Sequence, residues 1–157
     1  MANSAPDEET KRLNEKRRKN LRQLLLRTMR TLNALIEEEL QRRGYEKIRP
    51  AHGALLANLD LDGNTVTVLA ERAEMTKQAM GVLADELVEL GYLTRRVDPS
   101  DARARILEVT ATGHALMLDQ FAIIEQIEEQ YENVLGERTM DGLRTGLAAF
   151  MGVRQMT

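Results

Sequence analysis

Between residues 67 and 110 the spacing of apolar residues changes period, and that change constrains the fold more than any other feature of the chain. Two short stretches at helical spacing come first. Thr67 is placed to cap a helix over 68–73, with Glu71 near capping-box spacing, and Thr76 to cap a second helix over 77–90. Met80, Leu83, Leu87, Val88 and Leu90 give the second helix one apolar face, and Gly91 stands where a helix C-terminus favours glycine. The period then drops to two. Tyr92-Leu93-Thr94-Arg95-Arg96-Val97 and Arg105-Ile106-Leu107-Glu108-Val109-Thr110 alternate and are rich in β-formers, with turn chemistry at Asp98-Pro99-Ser100-Asp101-Ala102 between them. Two helices joined by a tight turn and followed by a hairpin predict a helix-turn-helix with a β wing.

The flanks are helical. Residues 1–10 are polar and acidic and read as a disordered leader. From 11 to 43 no Pro or Gly interrupts a segment in which Leu21, Leu25, Met29, Leu32, Leu35, Ile36 and Leu40 recur at three- and four-residue steps. This predicts one long amphipathic helix ended by Gly44, long enough to pack against a partner as well as its own domain. Pro50 opens a short helix through Leu59, and 60–64 is rich in loop formers. Thr110 is placed to cap a long helix reaching about Leu135, in which Gly113 is an odd early member. Gly136 breaks it, and a last helix runs from Thr139 to about Met151. The fold class is mainly α with a small β wing.

Composition narrows the chemistry. With no Cys, disulfides, thiolate metal sites and cysteine redox sensing are excluded, and the two His lack zinc-ligand spacing. No apolar run approaches the ~20 residues of a membrane span, so a cytoplasmic protein is expected. There is no Gly-rich phosphate loop and no nucleophile elbow. The carboxylates of Glu37-Glu38-Glu39 and Glu128-Glu129 splay around a helix instead of converging, so neither an enzyme nor a bound cofactor is expected. Charge is unevenly spread. Residues 11–49 hold thirteen Lys and Arg against five Asp and Glu, whereas 50–111 hold six against ten and 112–157 three against seven.

A helix-turn-helix places the N-terminal end of its second helix in the DNA major groove. Lys77 and Gln78 then project from the first turn, suited to guanine and adenine edges respectively, and Gly81 lets the backbone approach a phosphate or base edge. The wing carries Arg95, Arg96, Arg103 and Arg105, and an exposed Arg on a narrow loop suits the negative potential of an A·T-rich minor groove. A solvated turn whose charges pair with Asp98 and Asp101 is the plainer reading of the same residues.

Thr67-Val-Leu-Ala-Glu-Arg, Thr76-Lys-Gln-Ala-Met, Leu83-Ala-Asp-Glu-Leu-Val-Glu-Leu-Gly-Tyr-Leu and Asp98-Pro-Ser-Asp-Ala-Arg-Ala together resemble the multiple-antibiotic-resistance regulator (MarR) family of winged-helix repressors. The resemblance covers about 21–150, and Asp-Pro-Ser-Asp-x-Arg followed by Thr110-x-x-Gly113 is its most specific part. It implies a DNA-binding lobe over 46–110 and a homodimer held by helices of 11–45 and 111–157. It also implies palindromic double-stranded operator DNA and a small acidic or aromatic effector. By position, Arg103 matches the family's minor-groove arginine, Asp85 an acidic residue of the recognition helix that ties down the wing, and Asp101 the acidic wing residue. Ala102 and Val82 depart from the pattern, since many members carry basic residues at both places.

Several features stay open at this level. Tyr45, Met29 and Met117 suit either an effector crevice or ordinary core, and His52 and His114 either caps and surface or an effector pocket. The basic run Lys11, Arg12, Lys16, Arg17, Arg18, Lys19 and Arg22 suits a solvated helix face, a phosphate contact or a protein contact. Against the regulator stands a winged-helix dimer that serves as a protein-interaction or ligand-binding module without touching DNA.

Overall fold

The computed structural model describes residues 8–99 and 101–153, which form seven helices and three strands among them. In chain order these are α1 (Glu8–Lys19), α2 (Leu21–Arg42), α3 (Pro50–Leu56), β1 (Asn64–Thr65), α4 (Val66–Arg72), α5 (Lys77–Glu89), β2 (Leu93–Val97), β3 (Arg105–Val109), α6 (Ala111–Leu135) and α7 (Glu137–Val153). Of the expected leader, residues 1–7 lie outside the described residues, and Glu8–Thr10 already form the start of α1.

The single long helix expected from 11 to 43 is two helices, and Asn20 divides them. Its backbone is extended (φ −71°, ψ 147°), its side-chain oxygen accepts from Gln23 N at 3.0 Å, and its amide donates to Arg17 O at 2.8 Å. One side chain thus caps the start of α2 and the end of α1. Asn is among the best N-caps because it offers the backbone an alternative to helical continuation. Gly44 follows the end of α2 in the left-handed region (φ 92°).

The cap of α4 is Thr65, not Thr67; its hydroxyl accepts from Val68 N. The cause is β1, two residues that pair antiparallel with β3 (Asn64↔Leu107, Thr65↔Ile106) and deliver the chain to the helix earlier than local spacing suggests. The sheet order is β1-β3-β2, with β2 and β3 in register from Leu93↔Val109 to Val97↔Arg105. The α3 helix is also shorter than expected and ends at Leu56.

One core joins these elements. Leu55 and Leu56 of α3, Leu69 and Ala70 of α4, Met80, Leu83, Ala84 and Leu87 of α5, and Leu93 and Leu107 of the sheet are all buried. Burial of each large side chain contributes ~1.5–3 kcal/mol, so α4, α5 and the hairpin are fixed by the core beneath them. Leu40, Leu116, Ile123 and Ile127 extend that core into the long helices. Gly113, the odd member of α6, is explained by proximity: a Cβ there would lie 2.0 Å from the Tyr92 carbonyl oxygen. Only glycine lets the first turn of α6 approach the start of the wing so closely.

Candidate nucleic-acid interface

The turn between α4 and α5 is built by backbone geometry. Glu74 adopts φ 51°, and Met75 N donates back to Ala70 O at 2.8 Å, closing α4. Thr76, extended at φ −70° and ψ 146°, then caps α5 by accepting from Ala79 N at 3.1 Å. Such a cap is worth ~1 kcal/mol and fixes the direction in which the helix starts.

Because Met80, Leu83, Ala84 and Leu87 face the core, Gln78, Val82, Asp85 and Glu89 follow one another along the outer face of α5. Lys77 and Gln78 are exposed in its first turn, and the Lys77 ammonium meets no carboxylate among the described residues. A Cβ on Gly81 would meet nothing within 4 Å, so the backbone there borders open space. Val82 is 52% exposed, an apolar side chain in the middle of an otherwise polar face. Sequence reasoning saw in Val82 only a missing cation. Its exposure gives it another chemistry, since an apolar group on a groove-facing helix suits the thymine methyl.

The four wing arginines separate into two kinds. Arg95 on β2 forms an ion pair with Asp85 of α5, and Arg96 pairs with Glu108 across the strands. Arg105 donates to Ala102 O at 2.9 Å and to Ala104 O at 3.0 Å, holding the loop together. Asp101 accepts from the Arg103 backbone N at 2.9 Å, a local turn that projects the Arg103 side chain outward. The Arg103 guanidinium has no partner among the described residues and is exposed. The wing thus presents one unengaged guanidinium on a loop that its other arginines help to brace.

The base of the wing is tied to α6. Thr110 accepts from Gly113 N at 3.0 Å as its N-cap, and its hydroxyl lies 2.7 Å from Gly91 O. On the opposite side Arg72 donates to Asn58 O at 2.9 Å and to Asp60 at 2.8 Å. Hydrogen bonds from Arg72 and Asn64 hold the Asp60 carboxyl down to about 2.

The five residues considered for an effector crevice are spread over α2, the connector after it, α3 and α6. Met29 lines an open apolar groove with Leu21, Arg22, Leu25, Leu26 and Phe150, which includes none of the other four. Tyr45 donates to Asp119 of α6, and its ring lies 6.2 Å from that of Tyr92. Asp119 pushes the Tyr45 hydroxyl up to about 12, and Tyr45, with Arg43 at 2.9 Å, holds the Asp119 carboxyl below its ordinary range. His52 is 1% exposed: its Nδ1 accepts from Arg49 N at 3.1 Å, so Nε2 carries the proton donated to Glu86 at 2.8 Å. His114 is exposed, and Met117 is half-buried against the core.

Sequence separation hid the partners. Glu86 on α5 receives both His52 and Arg49, and these contacts hold its carboxyl below the usual range. The two carboxylates therefore grip both ends of the connector 43–49: Asp119 takes Arg43 and Tyr45, and Glu86 takes Arg49 and His52. Among the described residues no group of His, Asp and Glu is placed to hold a metal ion, and no helix is long and apolar enough to cross a membrane.

Residues 48–104, which contain α3 to the wing tip, match the sequence profile of the MarR family. No curated protein matches the chain in sequence. Solved structures do. The structure of MarR superimposes with a TM-score of 0.74 at 23% identity, covering 87% of this chain and 98% of that one. The transcriptional repressor CouR bound to a 23-mer DNA duplex gives 0.70 at 23% identity, covering 87% and 95%. CouR from Rhodococcus jostii RHA1 bound to p-coumaroyl-CoA gives 0.66 at 22%, covering 84% and 92%. The winged-helix segment 48–104 is thus similar to the MarR family, and the chain built around it has the fold of that family's solved regulators.

Proposed function

We propose that the protein is a homodimeric, sequence-specific DNA-binding regulator, a repressor released from a palindromic operator by a small acidic or aromatic effector. The observation that carries this reading is the pairing of a capped, outward-facing α5 with a braced wing whose Arg103 is free among the described residues. In this reading Lys77 and Gln78 meet base edges, Val82 meets a thymine methyl, and Arg103 enters the adjacent minor groove. Asp85, Asp101, Arg95, Arg96 and Arg105 keep the wing in position. The dimer is supported by α7, whose Leu143, Leu147, Phe150 and Met151 are 43–67% exposed. An apolar face of that extent on a single chain marks an association surface.

Gel shifts with the DNA upstream of the protein's own gene test this reading. The wild-type chain should bind, and Arg103→Ala should lose at least about tenfold in affinity, ~1.4 kcal/mol, while remaining a folded dimer. Unchanged binding by a Lys77→Ala/Arg103→Ala double variant would refute the assignment. It would favour a protein-interaction module, a reading supported by the acidic balance of residues 50–111.

A further inference from the structure

The lobe leaves few apolar side chains uncovered. Among its described residues only Leu61, Val82 and Val97 are large, apolar and exposed; Leu61 lies in the loop before β1, and Val97 ends β2. Val82 alone stands inside a helix, on a face where Gln78, Asp85 and Glu89 are its neighbours. Helix propensity does not favour valine at such a place, because β-branched side chains lose rotamer freedom against the preceding turn and straight-chain residues do not. The side chain is therefore neither core nor a good exposed helix former.

The polar side chains around it are unequally available. Asp85 is taken by Arg95 of the wing, and Glu86 by His52 and Arg49. A carboxylate already paired with a guanidinium is a poor acceptor for the amino group of cytosine. Lys77 and Gln78, by contrast, are exposed with no hydrogen-bond partner among the described residues. Beside Val82, a Cβ on Gly81 would meet nothing within 4 Å, so the helix surface there is open to close approach. The middle of α5 thus offers methyl groups and uncrowded backbone. In the major groove the apolar feature of the base edges is the C5-methyl of thymine.

We propose that Val82 makes this protein select a thymine in each half of its operator, about two base-pair steps from an adenine read by Gln78. The proposal rests on the DNA-binding reading above and adds to it the bases and their spacing. Gln78 and Val82 are four residues apart, so they follow one another along one side of α5. Their separation along the helix axis is ~6 Å. Base pairs lie ~3.4 Å apart, so a helix lying along the major groove spans about two steps between the two side chains. The valine methyls close on the thymine methyl and exclude water from it, whereas a G·C pair at that place carries no methyl. Two-fold symmetry repeats the same pair of contacts in the other half-site.

Uracil in place of thymine tests this, because it removes the methyl and leaves base pairing and the O4 acceptor unchanged. The preferred duplex is first selected from random sequence with the wild-type chain. Each symmetric pair of its thymines is then replaced by uracil, and affinity is measured by gel shift for wild type and for Val82→Ser. Serine has a helix propensity close to that of valine, and the position is exposed, so circular dichroism should show the same fold. At one pair of thymines, two steps from an adenine, the replacement should weaken wild type about fourfold per half-site, or roughly fifteenfold in all. The same replacement should leave Val82→Ser unaffected, and that variant should bind the unmodified duplex as weakly as wild type binds the uracil one. Equal uracil penalties in both proteins at every thymine would overturn the assignment of Val82, and so would a duplex in which no thymine methyl matters. A Val82-dependent thymine with no adenine two steps away would overturn the spacing. A wild-type chain that enriches no sequence and binds no duplex overturns the DNA-binding reading and this inference with it, whereas the other negative outcomes leave that reading standing.

Discussion

The winged-helix lobe and the long helices around it solve the problem of burial differently. Of the sixteen buried apolar residues described, twelve lie within residues 46–110; of the eighteen large apolar side chains left exposed, fifteen lie outside that span. The lobe closes its core with its own elements. The long helices leave a continuous apolar face, and α7 has no buried position among its described side chains. A region that buries its own face carries its geometry within one chain, whereas the other is completed by whatever covers it.

The sharpest way to break this contrast is to charge the exposed face. Leu147→Glu with Phe150→Glu removes two side chains worth ~1.5–3 kcal/mol each when covered, and symmetry doubles the loss. Sedimentation should show a monomer, and operator binding should fall by at least about a hundredfold. The lobe should keep its fold, because none of its core residues touches the change. A variant that unfolds altogether would show that the lobe is not self-sufficient.

Gly113→Ala makes the reverse test, because it damages the join between lobe and α6 from within. A methyl placed 2.0 Å from the Tyr92 carbonyl must displace backbone, at a cost of about 1–3 kcal/mol read as a lower midpoint in urea. A midpoint equal to wild type would remove the close approach as a constraint.

The connector 43–49 gives a milder, pH-dependent effect. The Asp119 carboxyl is held below its ordinary range, so its contribution is complete above the unfolded value of about 3.9 and is lost as pH falls through the folded one. Tyr45, raised to about 12, keeps its proton until pH climbs past its ordinary value of about 10. Wild type should therefore lose more stability than Asp119→Asn on acidification from pH about 5 to about 2. Parallel acid curves would show that the carboxylate is not coupled to folding.

The smallest effect is the most diagnostic in sign. Asp85→Ala removes a negative charge from the outer face of α5, the helix proposed to meet DNA, yet it also releases Arg95 and the wing. A few-fold loss of operator affinity is expected; a gain would mean that net charge outweighs wing position.

Much of this was legible in the chain itself. The caps at Thr76 and Thr110, the hairpin and the interruption at Gly136 follow from local chemistry that the sequence displays. Asn20 was legible in principle, but without a Pro or Gly beside it the periodicity of Leu21 to Leu40 masked the break. The true cap at Thr65 was not, because it depends on pairing with Ile106, forty-one residues away. The same distance effect concealed Glu86 as the partner of His52 and Arg49, and Asp119 as the partner of Arg43 and Tyr45. Which apolar residues of α2 and α7 remain uncovered is also absent from periodicity, which marks an apolar face without saying what it meets.

Thr110, fastened both to the first turn of α6 and to the carbonyl of Gly91, makes that helix a lever with the wing at its end. A helix of twenty-five residues is ~37 Å long, so a tilt of about five degrees about its far end moves the wing by about 3 Å, the length of a hydrogen bond. In the proposed regulator, whatever shifts the helical region by that small angle would change whether Arg103 and α5 can engage adjacent grooves together. No rearrangement inside the lobe is needed.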